Sequence, residues 1–167
     1  MPFSLPSSHP LRVVLDTNVV MALWHFRDPA LAALADWVET SAVELLTRAD
    51  CLDELARVLA YVQFRIEPAQ RAQIYATYAQ TARCLPEPDD TRLAELDALP
   101  RCKDRDDQKF LALAWLGEAD LLLTRDKLLL KLARKSPFRE RLRILTPELW
   151  QRELLAAEAL ALSGGES

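Results

Sequence analysis

Leu11-Arg12-Val13-Val14-Leu15, followed at once by Asp16-Thr17-Asn18, decides the fold. A short run rich in apolar and β-branched residues that stops abruptly at polar side chains is the pattern of a strand buried on both faces. Outward from it the pattern recurs. Val43–Thr47, residues 120–124 and Arg143-Ile144-Leu145 are further short apolar runs. Helical stretches separate them: 19–26, then 29–39, with Asp28 as N-cap and Pro29 at the first helical position. Residues 50–60 form a third, with Leu52, Leu55, Ala56 and Leu59 on one face, and 68–83 a fourth. Pro86-Glu87-Pro88-Asp89-Asp90 marks a loop. In the second half, 107–116 is helical and closes near Gly117, 127–134 is helical, and Thr146-Pro147-Glu148 caps a closing helix running from Leu149 to about Leu160. Strands alternating with helices require crossover connections. The fold class is therefore α/β, a parallel sheet of about four to five strands sandwiched by helices.

The composition agrees with one such domain. The chain has 167 residues, 50% hydrophobic and 28% charged, enough for one packed core with a solvated surface. Residues 1–10 read as an arm, 11–160 as a single domain and 161–167 as a tail. No apolar run approaches the roughly 20 residues a membrane span needs, and the first ten residues do not have the pattern of a signal peptide. Cys51, Cys84 and Cys102 are odd in number and contain no CxxC pair, which suits reduced thiols in a cytoplasm. With three glycines, two of them at Gly164 and Gly165, a glycine-rich phosphate loop is excluded.

The net charge is −4, yet it is unevenly spread. Between Arg101 and Arg143 stand twelve Lys and Arg against seven Asp and Glu, while the rest of the chain has nine basic and eighteen acidic residues. Such a basic segment suits local contact with a polyanion, or simply a solvated helix face.

Sites in an open parallel sheet form beyond the carboxyl ends of the strands. Asp16 ends the first strand, Glu54 lies one turn into the helix after the second, Asp104, Asp106 and Asp107 crowd a helix start, and Asp126 follows the strand Leu121-Leu122-Leu123-Thr124. Carboxylates gathered in one cleft repel, and are tolerable with bound cations or raised pKa values. Oxygen donors without His or Cys point to Mg²⁺ or Mn²⁺. Taken singly, each acid has a second explanation. Asp16 and Asp126 suit N-caps, Asp107 a helix dipole, and Glu54 an exposed helix face. Capping does not explain why the apolar strands all run into acids. A Ser-His-Asp or Cys-His site would need His9 or His25, and neither has a partner in the pattern. Trp24, Trp37, Trp115 and Trp150 fall on apolar helix faces and read as core.

These residues resemble the motifs of the PIN-domain family. Leu15-Asp16-Thr17-Asn18-Val19 is similar to its opening motif, and Leu52-Asp53-Glu54-Leu55-Ala56-Arg57-Val58-Leu59 to its second. The stretch from Cys102-Lys103-Asp104 through Asp107 to Phe110-Leu111-Ala112-Leu113-Ala114 is similar to the third, and Leu123-Thr124-Arg125-Asp126-Lys127-Leu128-Leu129 to the fourth. The four occur in family order over roughly residues 11–150, and the subgroup they most resemble is that of VapC-like toxins of toxin–antitoxin pairs.

The resemblance implies an endoribonuclease dependent on Mg²⁺ or Mn²⁺, with Asp16, Glu54, Asp107 and Asp126 as core acids and Asp104 as a further ligand or supporting acid. Asn18 and Thr124 would orient the carboxylates, and spacing to Phe110-Leu111 selects Asp107 over Asp106. Lys103, Arg105, Lys109, Arg125 and Lys127 flank the acids and would grip the phosphate backbone. An RNA substrate, an antitoxin, a homodimer and a cytoplasmic location come with the same resemblance. An apolar stripe of Leu31, Leu34, Ala35 and Val38 belongs to an antitoxin groove or to the core. The bulky Trp24-His25-Phe26 departs from the small residues common there in the subgroup. Haloacid-dehalogenase-type phosphatases need a second Asp where this chain has Asn18, and a receiver domain needs an early acidic pair that is absent. A PIN-like domain serving only as a binding module is the non-enzymatic alternative.

Overall fold

Val13 lies beside Leu45 on one side and Leu121 on the other, so the strand that decides the fold sits at the centre of the sheet. The computed structural model describes residues 9–164. Five strands, β1 (Leu11–Leu15), β2 (Val43–Thr47), β3 (Arg83–Cys84), β4 (Leu121–Leu123) and β5 (Arg143–Leu145), pair in the order β3-β2-β1-β4-β5, every pair parallel. The chain builds outward from β1 through β2 to β3, then crosses back and builds the other way through β4 to β5. Reversal of strand order leaves a crevice at the carboxyl ends of β1 and β4.

Nine helices cover the sheet among the described residues: α1 (Thr17–Val20), α2 (Ala32–Val38), α3 (Ala49–Leu59), α4 (Pro68–Thr81), α5 (Asp90–Asp97), α6 (Gln108–Leu116), α7 (Lys127–Leu132), α8 (Phe138–Arg141) and α9 (Pro147–Ser163). Alternation along the strands divides the core in two. Leu11, Val13 and Leu15 of β1, with Leu45, Leu121 and Leu123, face α1, α2, α3, α4 and α9. Val14, Leu46, Leu122 and Ile144 face the other way, against Phe110, Leu111 and Leu113 of α6, Leu129 of α7 and Phe138 of α8. Each such large apolar side chain removed from water contributes about 1.5–3 kcal/mol.

The structure refines several expected elements. The helix expected over 19–26 starts at Thr17 and widens into a π-helical turn at Met21–His25. The one expected over 29–39 opens as a single 3-10 turn at Pro29–Leu31, where Asp28 Oδ1 accepts from Ala30 N at 3.0 Å, and becomes α-helical only at Ala32. In α3 the buried row is Cys51, Leu55 and Leu59, with Leu52 half-buried; Ala56, expected on that face, is exposed, because it lies one step around the helix from the row. The α4 helix ends at Thr81, and Arg83-Cys84 then forms the edge strand β3, which the sequence pattern did not show. Its two residues are exposed and pair through backbone, so no apolar signal marks them. Helices α5 and α8 were also unexpected. No residue of α5 is fully buried, and α8 is four residues held by a buried Phe138.

Gly117 closes α6 against β2 so tightly that a Cβ there would stand 2.4 Å from Leu46 Cδ1, a side chain with no exposed surface. Helix α9 extends through residues 161–163 of the expected tail. Residues 1–8 of the expected arm and 165–167 of the tail lie outside the described residues. Trp150 is buried and Trp24, Trp37 and Trp115 pack against the cores. No helix among the described residues is long and apolar enough to cross a membrane.

Candidate active site

Asp16 stands directly beyond β1, 3% exposed, its backbone N–H donating to Leu123 O at 3.0 Å as though β1 and β4 continued their ladder. That continuation brings Thr124, at the end of β4, against it. Thr124 Oγ1 donates to Asp16 Oδ2 at 2.7 Å and in turn accepts from Asp126 N at 2.9 Å. Asp126 is the N-cap of α7, with Oδ1 accepting from Leu128 N at 2.7 Å and Leu129 N at 3.1 Å. Strand pairing, a hydroxyl and a helix cap thus fix two carboxylates from segments far apart in the chain.

Glu54 enters from α3. Its Oε2 accepts from the hydroxyl of Thr17 on α1, and its Oε1 lies 2.8 Å from Lys109 Nζ on α6. Asp107 stands at the start of α6 but caps nothing with its side chain. Its carboxylate has no hydrogen-bond partner among the described residues, nor has Asp126 Oδ2.

Electrostatics joins these groups. Burial, reinforced by the negative charges of Asp16, Asp126, Asp104 and Glu54, pushes Asp107 up to about 7. Burial also raises Asp16; the Thr124 bond opposes that, and Glu54 and Asp126 add to it. Four carboxylates from four segments therefore act on a fifth, a repulsion that a bound cation or a raised pKa relieves. The donors are oxygen alone, as a hard divalent cation requires. Among the described residues, no three His, Cys, Asp or Glu side chains close into a preassembled metal cage. The acids are instead held by Thr124, Thr17, Lys109 and the α7 backbone.

The remaining residues singled out from the sequence divide clearly. Asp104 is exposed at the rim, with Oδ1 accepting from Asp106 N at 2.9 Å. Asn18, expected to orient the carboxylates by hydrogen bonds, is exposed, and its contribution to Asp16 is a backbone hydrogen bond. Its neighbour Thr17, not among the expected site residues, is the one whose side chain holds a carboxylate, that of Glu54. Its only signal was a hydroxyl in the first turn after Asp16. Of the expected phosphate-gripping cations, Lys109 is spent on Glu54, and Arg125 is tied to Glu148, with Nε to Oε1 at 2.7 Å, and to Asp28 at 3.5 Å. Both pairings reduce the charge that these two cations offer to a phosphate. Lys103, Arg105 and Lys127 are exposed and make no ion pair among the described residues.

His25 packs against Phe26, ring centroids 4.6 Å apart, and against Phe64 at 6.3 Å, and its Nδ1 has no hydrogen-bond partner among the described residues. Leu31, Leu34 and Val38 are buried in the core, so the early-helix stripe is core and not groove. Cys51 and Cys102 are buried thiols whose pKa burial raises, and Cys84 is exposed; all three are free.

A family model described as PIN domain matches residues 12–128, a span that includes every acid of this cleft. No curated protein matches the chain.

Proposed function

The chain belongs to the PIN-domain family, whose members are generally nucleases that use divalent metal ions, and we propose that it is a metal-dependent endoribonuclease, the toxin of a toxin–antitoxin pair. The observation that carries the nuclease reading is Asp107, a carboxylate without a partner, pushed up to about 7 by its burial and by four other acids. A site so loaded with negative charge has little use for an anionic phosphate unless cations intervene. Mg²⁺ or Mn²⁺ would supply Lewis acidity toward the phosphodiester and a more acidic attacking water.

The chain's own residues do the rest. Asp16, Glu54, Asp107 and Asp126 would hold the cations, with Asp104 at the rim. Thr124 and Thr17 fix the rotamers of Asp16 and Glu54, so their oxygens are in place before substrate arrives. Lys103, Arg105 and Lys127 hold the RNA backbone from the edge of the cleft. In-line displacement at phosphorus would leave a 5′-phosphate and a 3′-hydroxyl.

The toxin reading includes an antitoxin and a second copy of the chain as partners, and a cytoplasmic location. What supports a protein partner is exposed apolar surface. Phe26 is 58% and Val62 87% exposed, with Tyr61 stacked on Phe64 beside them.

Purified protein incubated with labelled single-stranded RNA tests the activity, with Mn²⁺ or Mg²⁺, then with EDTA, beside Asp107→Asn and Asp106→Asn. Metal-dependent cleavage lost in Asp107→Asn and kept within about twofold in Asp106→Asn is the expected result. Cleavage that survives Asp107→Asn, or no cleavage with either metal, sinks the proposal.

A further inference from the structure

Next to the acidic cleft lies a second concavity of about 530 Å³, bounded by α5, the loop that leads into α6, and α6 itself. Its charge is opposite to that of the cleft. Five of its lining residues are cationic (Arg48, Arg101, Lys103, Arg105 and Lys109) and a single one, Asp97, is acidic. The five differ in availability. Arg48, on the inner wall, is buried and bonded through Nε to Asp50 Oδ1 at 2.9 Å; Lys109 is paired with Glu54; Arg101 has only a loose contact with Asp97 at 3.8 Å. Lys103 and Arg105 make no ion pair among the described residues. Of the other lining residues, Gln108 accepts through Oε1 from Cys102 N, while Leu93, Leu96 and Ala112 give an apolar stretch in which Leu93 is 46% exposed.

Two unneutralised cations facing a short apolar wall suit a ligand that is anionic at one end and flat and apolar at the other. A nucleotide has that shape, with phosphate for Lys103 and Arg105 and a base to lie on leucine side chains. Position strengthens the assignment. Lys109 lines this concavity while its ammonium touches Glu54, so the concavity and the acidic cleft share a wall one side chain thick. A strand of RNA with one phosphate among the acids could place the neighbouring nucleotide here.

Resting on the ribonuclease reading, we propose that this concavity is a nucleotide subsite that binds the residue of single-stranded RNA next to the cleaved bond, its phosphate held by Lys103 and Arg105 and its base against Leu93 and Leu96. It anchors substrate without taking part in the chemistry. Binding at this point also separates duplex from single strand, because a base stacked in a helix cannot lie on the leucine wall.

The test is fluorescence anisotropy of a labelled single-stranded RNA in EDTA, where nothing can be cleaved, with full-length protein. Lys103→Ala/Arg105→Ala is expected to weaken binding about tenfold and to flatten the slope of log K against log salt by about 0.7, the value for one lost phosphate contact on a single strand. Leu93→Glu, at a position 46% exposed, is expected to weaken binding by a similar factor. The control Lys131→Ala/Arg134→Ala removes two exposed cations that do not line the concavity, and is expected to stay within twofold. Equal losses in the control pair and the concavity pair, or unchanged binding in Leu93→Glu, overturn the subsite. Its fate is separable from that of the nuclease reading. Failure of cleavage with metal, alongside these binding losses, removes the activity and leaves the subsite; cleavage with binding indifferent to all three variants does the reverse.

Discussion

Lys109 Nζ lies 2.8 Å from Glu54 Oε1, with the two side chains 13% and 15% exposed, and so places a positive charge inside an otherwise anionic cleft. One residue on α6 thereby offsets part of the repulsion among acids from β1, α3 and α7. The position of that ammonium is a place where a cation is welcome.

Removing it has two expected consequences. Lys109→Met leaves Glu54 unpaired beside Asp16 and Asp107, and without metal should destabilise the protein by roughly 1–3 kcal/mol, between the values for exposed and fully buried pairs. Mn²⁺ should then recover more stability in the variant than in the wild type, because the metal takes over the lost charge. Urea unfolding with and without Mn²⁺ measures both; equal recovery in the two proteins contradicts the counter-ion role.

Asp107 gives the metal-free protein a pH dependence of definite sign. Its folded value is about 7 against an ordinary 3.8, so between those limits the folded state holds more protons than the unfolded state. Stability contributed by this group is present at low pH and is lost as pH rises from about 4 to 7. Asp107→Asn has no such proton to lose. Its melting temperature should match that of the wild type near pH 4 and exceed it at pH 8, by about 2–4 °C for each kcal/mol of relief. Thermal melts in EDTA across that range check this, and a difference that fails to widen with pH counts against it.

Thr124 joins two acids through one hydroxyl. Thr124→Val keeps the shape and removes the donor to Asp16 Oδ2 and the acceptor for Asp126 N, inside a site with no exposed surface at residue 124. A stability loss of about 1–3 kcal/mol is expected from two buried polar groups left unsatisfied. Cleavage of RNA should fall by more than tenfold, whereas Thr124→Ser should retain most of it. Denaturation and single-turnover rates on the same preparations distinguish this from general unfolding.

Asp126 serves two purposes that substitution can separate. As N-cap it accepts from Leu128 N and Leu129 N through Oδ1, and its Oδ2 is free to face the cleft. Asp126→Asn keeps an oxygen for the cap, so it should cost only a few tenths of a kcal/mol; Asp126→Ala should cost about 1 kcal/mol. Both should abolish metal-dependent cleavage. An Asn variant that is stable and fully active would reduce Asp126 to a cap.

Much of this architecture was legible in the chain itself. Residues 11–15 and 43–47 announced central strands because a doubly covered parallel strand must be apolar on both faces, a property of consecutive residues. Asp16, Glu54, Asp107 and Asp126 stood out because strand ends in an α/β sheet lead into one crevice, so position along the chain carries position in space. By contrast, β3 and α5 carried no such mark, since an exposed edge strand and a helix without buried residues leave no periodic apolar signal.

Other features depended on packing. That Thr17 and not Asn18 faces Glu54 depends on the rotation of α1 against α3. That Lys109 and Arg125 are bound to acids, while Lys103 and Arg105 line a concavity, depends on which helix surfaces meet across the sheet. The periodicity of apolar and polar residues is a local property and survives translation into a string of letters. The pairing of one charge with another, 55 residues away for Glu54 and Lys109, arises only when the whole core has chosen how its helices turn.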